Sequence, residues 1–172
     1  MMSVDPVFGD EIAGEAEAFS MGLGVAVRMI RDRGVVTPTV VALTRAPSGW
    51  TGLWEMDITQ AVQRGKDGLE EMGFILTKLV SKDGCDLSLM GVRPEHFKAD
   101  AVVLVVEGMA SGMNPSGEDV EWRSLSLELK TSGQMVAMLY KVNQTGAETS
   151  LEMVGRAVSE SSPLHGVTRA LH

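Results

Sequence analysis

The chain has 172 residues, of which 44% are hydrophobic and 22% are charged, and its net charge is −8. These values are typical of a globular domain with a packed core and argue against a disordered or fibrous chain. The acidic balance offers no basic surface to a phosphate backbone, so we expect no nucleic-acid partner. No apolar segment approaches the roughly 20 residues that span a bilayer, and the N-terminus lacks a basic start followed by an apolar stretch. We therefore predict a cytoplasmic protein that does not bind membranes.

The first predicted element is an amphipathic helix over residues 10–33. Its apolar residues recur at the three- and four-residue spacing of one helix face. Glutamates gather near its start and arginines near its end, as the helix dipole favours, and Gly34 suits the left-handed cap that ends many helices. Gly22 and Gly24 begin like a dinucleotide-binding fingerprint, but the third glycine is missing and the segment lies inside a helix. Small residues at these positions indicate close helix packing instead.

A β-hairpin is predicted next. Residues 35–43 are rich in β-branched side chains, and Pro38 favours a strand start or an edge because it cannot donate a ladder hydrogen bond. Residues 46–49 have the composition of a turn. Residues 50–56 then continue as a second strand that pairs back on the first.

A second long helix is predicted behind this hairpin. Asp57 and Gln60 have the spacing of a capping box, and an apolar stripe continues to Leu79. Residues 82–84 should end the helix. Three glycines inside it each cost about 1 kcal/mol relative to alanine, so we expect close packing against a neighbouring element to compensate. These glycines are Gly65, Gly68 and Gly73.

Further strands are predicted in the second half of the chain. Residues 101–106 form a continuous β-branched run, which is typical of a central strand covered on both faces. Residues 108–119 are rich in turn-forming residues and predict an irregular, mobile loop. Residues 124–129 alternate leucine with serine or glutamate, which predicts a strand with one buried and one wet face. A turn at residues 131–134 leads to an antiparallel partner over residues 135–142.

The remaining segments complete a fold prediction. The residues around Leu151 and Val154 could form either a short strand or a short helix. Residues 155–172 have the composition of a surface tail. Together the elements predict a single α+β domain over residues 1–172. In that fold an antiparallel sheet of about four to six strands packs against two long amphipathic helices.

Residues that could carry chemistry are sparse. Cys85 is the only cysteine, which excludes an intrachain disulfide and favours a reducing compartment. Whether a histidine base lies beside it stays open, although a lone cysteine is more often an inert core residue. The histidines His96, His165 and His172 are too scattered for a local metal motif. We predict no metal site, no catalytic residue and no cofactor.

Glu107 is the most informative polar residue. It ends the run of buried-type strand residues, where a carboxylate is costly unless it is paired or lies at the rim. Arg123 opens the next predicted strand and could reach Glu107 if the two strands are neighbours. One interpretation is a structural ion pair that closes the end of the sheet. The other is a ligand site formed by Glu107, Asn114 and Arg123 beneath a mobile lid of residues 109–119, and the structural interpretation is favoured.

The same stretch carries a resemblance. The sequence AVVLVVEG at residues 101–108 is followed by Asn-Pro-Ser at residues 114–116 and by Trp122-Arg123 before the alternating strand. This arrangement resembles small uncharacterised α+β proteins of bacteria and their phages, in which the strand also ends in a glutamate and an arginine precedes the next strand. The resemblance implies an α+β fold and a bacterial or phage setting, and it implies no activity.

Three functional hypotheses follow. The leading one is a non-enzymatic protein–protein interaction or assembly module that self-associates, for which the 12 methionines would supply adaptable apolar contacts. The second is a small-molecule-binding protein or hydrolase in which Glu107 is an acceptor or general base and Arg123 clamps an anion. The third is a component of a phage virion or another large assembly.

Overall fold

The structure, a computed structural model, describes residues 14–86 and 96–159. Its elements are, in chain order, α1 (Glu15–Arg33), β1 (Thr39–Ala46), β2 (Gly49–Asp57), α2 (Thr59–Gln63), α3 (Lys66–Leu79), β3 (Cys85–Asp86), β4 (His96–Phe97), β5 (Ala101–Met113), β6 (Asp119–Lys130), β7 (Met135–Thr145) and β8 (Glu148–Ser159). Six strands form an antiparallel sheet in the order β2-β1-β5-β6-β7-β8, and β3 pairs with β4 separately. The predicted α+β class with an antiparallel sheet is confirmed. No helix within the described ranges has the length and apolar character needed to cross a membrane.

α1 lies across one face of the sheet. As predicted, glutamates occupy its first turn and arginines its last, and Gly34 caps it in the left-handed conformation at φ 77°. The predicted start at residues 10–13 lies outside the described residues. Gly22 faces the sheet, where a Cβ atom would lie 2.8 Å from both Leu127 Cδ2 and Val103 Cγ1. The missing side chain therefore lets α1 approach β5 and β6 closely, as predicted for this position. The α1 side chains that pack here are Ala18, Phe19, Val25, Ala26, Met29 and Ile30.

The prediction of a second long helix is wrong, because the chain forms two shorter helices instead. α2 has 5 residues and α3 has 14, and Gly65 between them has the non-helical angles φ 69° and ψ −142°. Asp57 Oδ1 accepts a hydrogen bond from the Thr59 N–H at 2.7 Å. α2 begins at Thr59, one residue later than a capping box with Asp57 as its N-cap predicts. A Cβ atom on Gly68 would lie 2.1 Å from the Ala61 carbonyl oxygen. Close packing was predicted to compensate for the low helix propensity of the glycines. At Gly68 this packing is the close approach of α3 to α2.

α2 and α3 cover the other face of the sheet over β1 and β5. The apolar stripe of the predicted second helix supplies this contact through residues of both helices, including Leu76 and Leu79. From the sheet, Val40 on β1 and Val102 and Leu104 on β5 face them. β1 and β5 are therefore buried on both faces, as the continuous apolar run at residues 101–106 predicted.

Both predicted hairpins are present. β1 begins directly after Pro38 and pairs antiparallel with β2. β6 and β7 also pair antiparallel, and the Thr131 N–H donates to the Gln134 carbonyl at 2.9 Å across their turn. β5 lies in the interior of the sheet between β1 and β6. These elements follow from local sequence patterns.

Two strand predictions need correction. Ser124, Ser126 and Glu128, predicted to face water, are buried. Ser126 and Glu128 are the register partners of Val106 and Leu104, so they lie on the face of the sheet that α2 and α3 cover at β5, and the alternation does not mark a wet face. Of the alternatives around Leu151 the structure has the strand, and β8 continues to Ser159 as an edge of the sheet. The surface tail therefore cannot start at residue 155, and residues 160–172 lie outside the described residues.

The predicted loop at residues 108–119 is mostly strand. β5 continues to Met113 and β6 begins at Asp119, so only residues 114–118 form a turn. β1 pairs with β5 no further than Val105, and β7 pairs with β6 no further than Ser124. Residues 108–123 therefore form a segment in which β5 and β6 pair only with each other, which we call the ribbon, while β7 continues to Thr145 without pairing to it. The pairing of Gly112 with Val120, a strong strand former, offsets the weak strand propensity of the glycine.

Candidate functional site

Glu107 and Arg123 form an ion pair between β5 and β6. Arg123 Nε donates to Glu107 Oε1, and Arg123 Nη2 donates to Glu107 Oε2 at 3.0 Å. The two residues share a face of the sheet because Met109, two positions beyond Glu107, is the register partner of Arg123. The side chains of Glu107 and Arg123 are 18% and 21% exposed, so water screens their attraction only in part.

Both residues also bind the backbone or side chains of other elements. The Val36 N–H donates to Glu107 Oε2 at 2.6 Å, and Arg123 Nη2 donates to the Gly34 carbonyl at 2.6 Å. Arg123 Nη1 donates to Gln144 Oε1 at 2.9 Å. The pair thereby fixes the end of α1 and the approach to β1 against the sheet. The hydrogen-bonding groups of both side chains are directed at protein atoms, which favours the interpretation of a structural ion pair. A ligand-binding role for either residue stays a prediction.

Arg123 lies where two hairpins separate. β6 and β7 stop pairing after Ser124 and Lys141, whereas β7 and β8 remain paired as far as Thr145 and Glu148. The ends of the β5–β6 and β7–β8 hairpins therefore extend side by side from the same end of the sheet. The hydrogen bond from Arg123 to Gln144 joins the two hairpins near the point of separation.

Asn114 does not join Glu107 and Arg123. It lies seven residues beyond Glu107 along β5, which at about 3.3 Å per residue is a separation of roughly 20 Å. Its Oδ1 accepts a hydrogen bond from the Glu118 N–H at 2.9 Å, and its own N–H donates to the Glu118 carbonyl at 2.9 Å. Asn114 closes the turn of the ribbon, and the mobile lid predicted around it is a paired β-hairpin.

The ribbon presents apolar side chains to solvent. Met109 is 60% exposed and Met113 is 71% exposed, and both lie on the face of β5 that carries Glu107. Val120 is also exposed on the paired strand. Trp122 lies over Gly112, where a Cβ atom would be 3.7 Å from the indole nitrogen. The sequence prediction missed this surface because it assigned Met109 and Met113 to a loop over residues 108–119, although Val120 and Trp122 directly after that loop are strong strand formers.

A cleft of about 520 Å³ opens between α1 and the edge strand β2. Arg28 on α1 and Glu55 on β2 line it and form a solvent-exposed ion pair at 2.6 Å. Gly24 leaves the α1 wall of the cleft open, because a Cβ atom there would meet no atom within 4 Å. The other lining residues are Met21, Val25, Val41, Gly52, Leu53 and Trp54. Close packing was predicted at Gly24 as well as at Gly22, and at Gly24 that prediction is wrong because the position faces open space. Neither Glu107 nor Arg123 lines the cleft.

Protein-family models, curated proteins and solved structures gave no match to this chain. The resemblance to bacterial and phage proteins therefore stays a prediction. The function is inferred from the geometry of the ribbon, the cleft and the ion pair.

Cys85 and the three histidines are the residues considered for nucleophilic or metal chemistry. The register of the small sheet pairs Cys85 with Phe97 and Asp86 with His96, so His96 is not the strand partner of the cysteine. Within residues 14–86 and 96–159, no three His, Cys, Asp or Glu side chains lie close enough to hold a metal ion together. His165 and His172 lie outside the described residues.

Proposed function

We propose that this chain is a non-enzymatic assembly module that self-associates through the ribbon. The observation that carries the proposal is that Met109 and Met113 are largely exposed on a segment in which β5 and β6 pair only with each other. Burying one such side chain fully at an interface contributes about 1.5–3 kcal/mol. The flexible methionine side chain also adapts to the shape of a partner surface.

The position of the ribbon supports the same function. An isolated two-stranded hairpin is marginally stable in water, and it gains stability when a face packs on another surface. Beyond Glu107, the described residues supply neither β1 nor β7 as a strand neighbour. A bound protein surface would cover the methionine face of the ribbon and stabilise the hairpin.

The two edges of the sheet are less suited to association. Exposed edge strands invite pairing with another chain, and β-bulges are a common protection because they interrupt the ladder and twist the edge. The pairing of β1 with β2 shifts register between Ala42 and Leu43, and the pairing of β7 with β8 shifts between Leu139 and Tyr140. Both edge strands thus carry an irregularity, whereas the pairing of β5 with β6 has none. We therefore assign association to the side chains of the ribbon and not to strand addition at β2 or β8.

The alternatives have less support. A binding site or hydrolase centred on Glu107 and Arg123 would need donors and acceptors aimed at a ligand, and these two residues bind Gly34, Val36 and Gln144 instead. A virion or another large assembly would be one setting for a self-associating module.

The proposal is tested by measuring molar mass against concentration with size-exclusion chromatography and light scattering. We expect the wild-type chain to associate, and a Met109→Asp/Met113→Asp double variant to be monomeric because charged side chains resist burial. Phe74→Asp is the matched control, since Phe74 is an equally exposed hydrophobic residue on α3. It should associate as the wild type does. A wild-type monomer at every concentration, or unchanged association of the ribbon variant, would overturn the proposal.

A further inference from the structure

We infer that the ribbon binds the ribbon of a second copy edge to edge, through antiparallel pairing of the β5 strands of the two copies. This inference rests on the proposed function and gives the geometry of the contact. It is carried by the free backbone groups of the β5 edge, by the distribution of charge over the ribbon and by the register in which the strand matches itself.

The β5 edge of the ribbon has unpaired backbone groups. In an antiparallel ladder, residues whose N–H and C=O bond the partner strand alternate with residues whose groups point the other way. The Asn114 N–H donates to the Glu118 carbonyl at 2.9 Å, and these two residues continue the register of β5 with β6. Even-numbered residues therefore bond β6, and odd-numbered residues direct their N–H and C=O away from it. β1 pairs with β5 no further than Val105, so within the described residues the odd positions of the ribbon have no strand partner on this side. These positions are Met109, Ser111 and Met113.

This edge lacks the features that protect the edges of sheets. Charged side chains, prolines and bulges commonly prevent a free edge from pairing with another chain. Residues 108–113 contain no charged residue and no proline, and their register with β6 runs without a shift. Asp119 and Glu121 supply charges to the other strand of the ribbon. The β5 edge is therefore the one that can accept a strand.

The β5 edge matches itself about a two-fold axis through Ser111. Its free groups meet only where odd-numbered residues face odd-numbered residues, and this axis satisfies that condition. Met109 of each copy then faces Met113 of the other, so the exposed methionines cover one another as cross-strand pairs. Moving the axis by one residue would set a methionine opposite Glu107 or Pro115, and proline has no N–H to donate.

Edge pairing also keeps the acidic side chains of the two copies apart. The joined ribbons form a four-stranded sheet in the order β6-β5-β5-β6, with Asp119 and Glu121 on the outer strands. Three strand spacings separate the two β6 strands by roughly 14 Å, more than the Debye length of about 8 Å at physiological salt. Stacking the methionine faces would instead bring these acids together, because Asp119 is the register partner of Met113 and Glu121 that of Ser111. A four-stranded sheet is also more stable than a lone hairpin.

The test removes one backbone donor and leaves the methionines in place. Ser111→Pro deletes an outward N–H, and proline is tolerated at edge positions whose N–H does not serve the ladder. In size-exclusion chromatography with light scattering, we expect the wild type to stop at twice the chain mass, because a two-fold contact is closed. Ser111→Pro should be monomeric while circular dichroism shows a folded chain.

Two variants are the controls for this loss. Ser111→Ala removes the hydroxyl group but keeps the N–H, so it should form dimers like the wild type. Glu121→Pro introduces the same proline on the opposite edge of the ribbon, because Glu121 is the register partner of Ser111. It should also form dimers.

Cross-linking tests the axis without proline. In a Cys85→Ser background, Ser111→Cys brings two thiols together at the axis, where Cα atoms about 5.5 Å apart allow a disulfide. Glu121→Cys is the control, since its Cα atoms in the two copies would be roughly 14 Å apart. We expect diamide to link Ser111→Cys into dimers at a concentration at which Glu121→Cys remains unlinked.

The outcomes separate this contact from the proposed function. If a folded Ser111→Pro variant forms dimers like the wild type, or if Ser111→Cys links no faster than Glu121→Cys, edge pairing is overturned. A monomeric Met109→Asp/Met113→Asp variant would then still uphold the proposed function. If that ribbon variant associates, the proposed function itself fails. If Ser111→Pro does not fold, the cross-linking result decides.

Discussion

Arg123 on β6 donates to both carboxylate oxygens of Glu107 on β5, across a sequence separation of 16 residues. Through the same guanidinium it also holds the Gly34 carbonyl at the end of α1. The last carbonyl groups of a helix have no partner within the helix, so an arginine at this position satisfies one of them and complements the negative end of the helix dipole. The ion pair thus connects the termination of α1 to the base of the ribbon.

Glu107→Gln is expected to destabilise the fold. The substitution preserves the shape of the side chain but leaves Arg123 without its carboxylate in a partly buried position. Losing a hydrogen-bonded charge costs about 2 kcal/mol, which corresponds to a fall in melting temperature of roughly 4–8 °C for a chain of this size. The measurement is thermal unfolding of the wild type and the variant at one low protein concentration, so that association does not contribute to the difference in melting temperature.

Arg31→Gln is the control for this loss of charge, since the Arg31–Asp32 pair is exposed. Its free energy of unfolding should change by less than about 0.5 kcal/mol. An unchanged melting temperature in Glu107→Gln would contradict a structural role for the ion pair and would favour the ligand-binding hypothesis.

The pKa of Tyr140 should be raised, and the charge of Glu15 should contribute to the increase. Burial raises the pKa of Tyr140 above its usual value of 10.0, and the negative charge of Glu15 raises that pKa further. Glu15→Gln removes the charge, so we expect the pKa of Tyr140 to fall toward 10.0. Because the chain has a single tyrosine, ultraviolet titration of tyrosinate reports this residue alone. A pKa that is the same in both proteins would exclude the influence of Glu15.

The raised pKa of Tyr140 also predicts how stability depends on pH. In the unfolded chain the tyrosine loses its proton near pH 10.0, whereas in the folded chain it keeps the proton to higher pH. Between these two pKa values the folded state binds more protons, so the free energy of unfolding falls as the pH rises above about 10. Tyr140→Phe should lose this contribution. The difference between the unfolding free energies of wild type and Tyr140→Phe should therefore vary with pH above about 10 and be constant below it.

The sequence predicts those elements whose signals are local. The three- and four-residue apolar spacing of α1, Gly34 at its end and Pro38 before β1 each act within a few residues, and each prediction is confirmed. The break at Gly65 was missed because an apolar stripe continues across it. The paired strands of the ribbon were not predicted, because its glycines and Asn114 are typical of a loop and only the pairing with β6 makes the segment a strand.

The candidate site was predictable only in part. The position of Glu107 at the end of a buried run indicated that it needs a partner, and Arg123 on the adjacent strand is that partner. Gly34, Val36 and Gln144 complete the network from elements that meet only in the folded chain. The cleft depends on how α1 lies against β2, which no local pattern specifies.

Gly68→Ala should be strongly destabilising. The added Cβ atom would lie 2.1 Å from the Ala61 carbonyl oxygen, which is a backbone atom and cannot move without shifting α2. We expect a loss of at least about 3 kcal/mol, the upper end of the usual cost of overpacking. Gly133→Ala is the control in the β6–β7 turn, where a Cβ atom meets nothing within 4 Å. Chemical unfolding measures both, and equal free energies of unfolding for the two variants would show that α2 and α3 are not in close contact.

Gly22 and Gly24 form a matched pair, two residues apart on α1, that should respond to alanine in opposite directions. A Cβ atom on Gly24 meets open space, so Gly24→Ala should stabilise the fold by about 0.5–1 kcal/mol through helix propensity. A Cβ atom on Gly22 would lie 2.8 Å from Leu127 Cδ2 and from Val103 Cγ1, both side chains of the buried core. Because these side chains have little room to move, overpacking should outweigh the gain in propensity and give a net loss of about 0.5–2 kcal/mol. Urea unfolding of both variants in the Met109→Asp/Met113→Asp background is the measurement, and a gain in stability from Gly22→Ala would mean that α1 lies further from β5 and β6 than described.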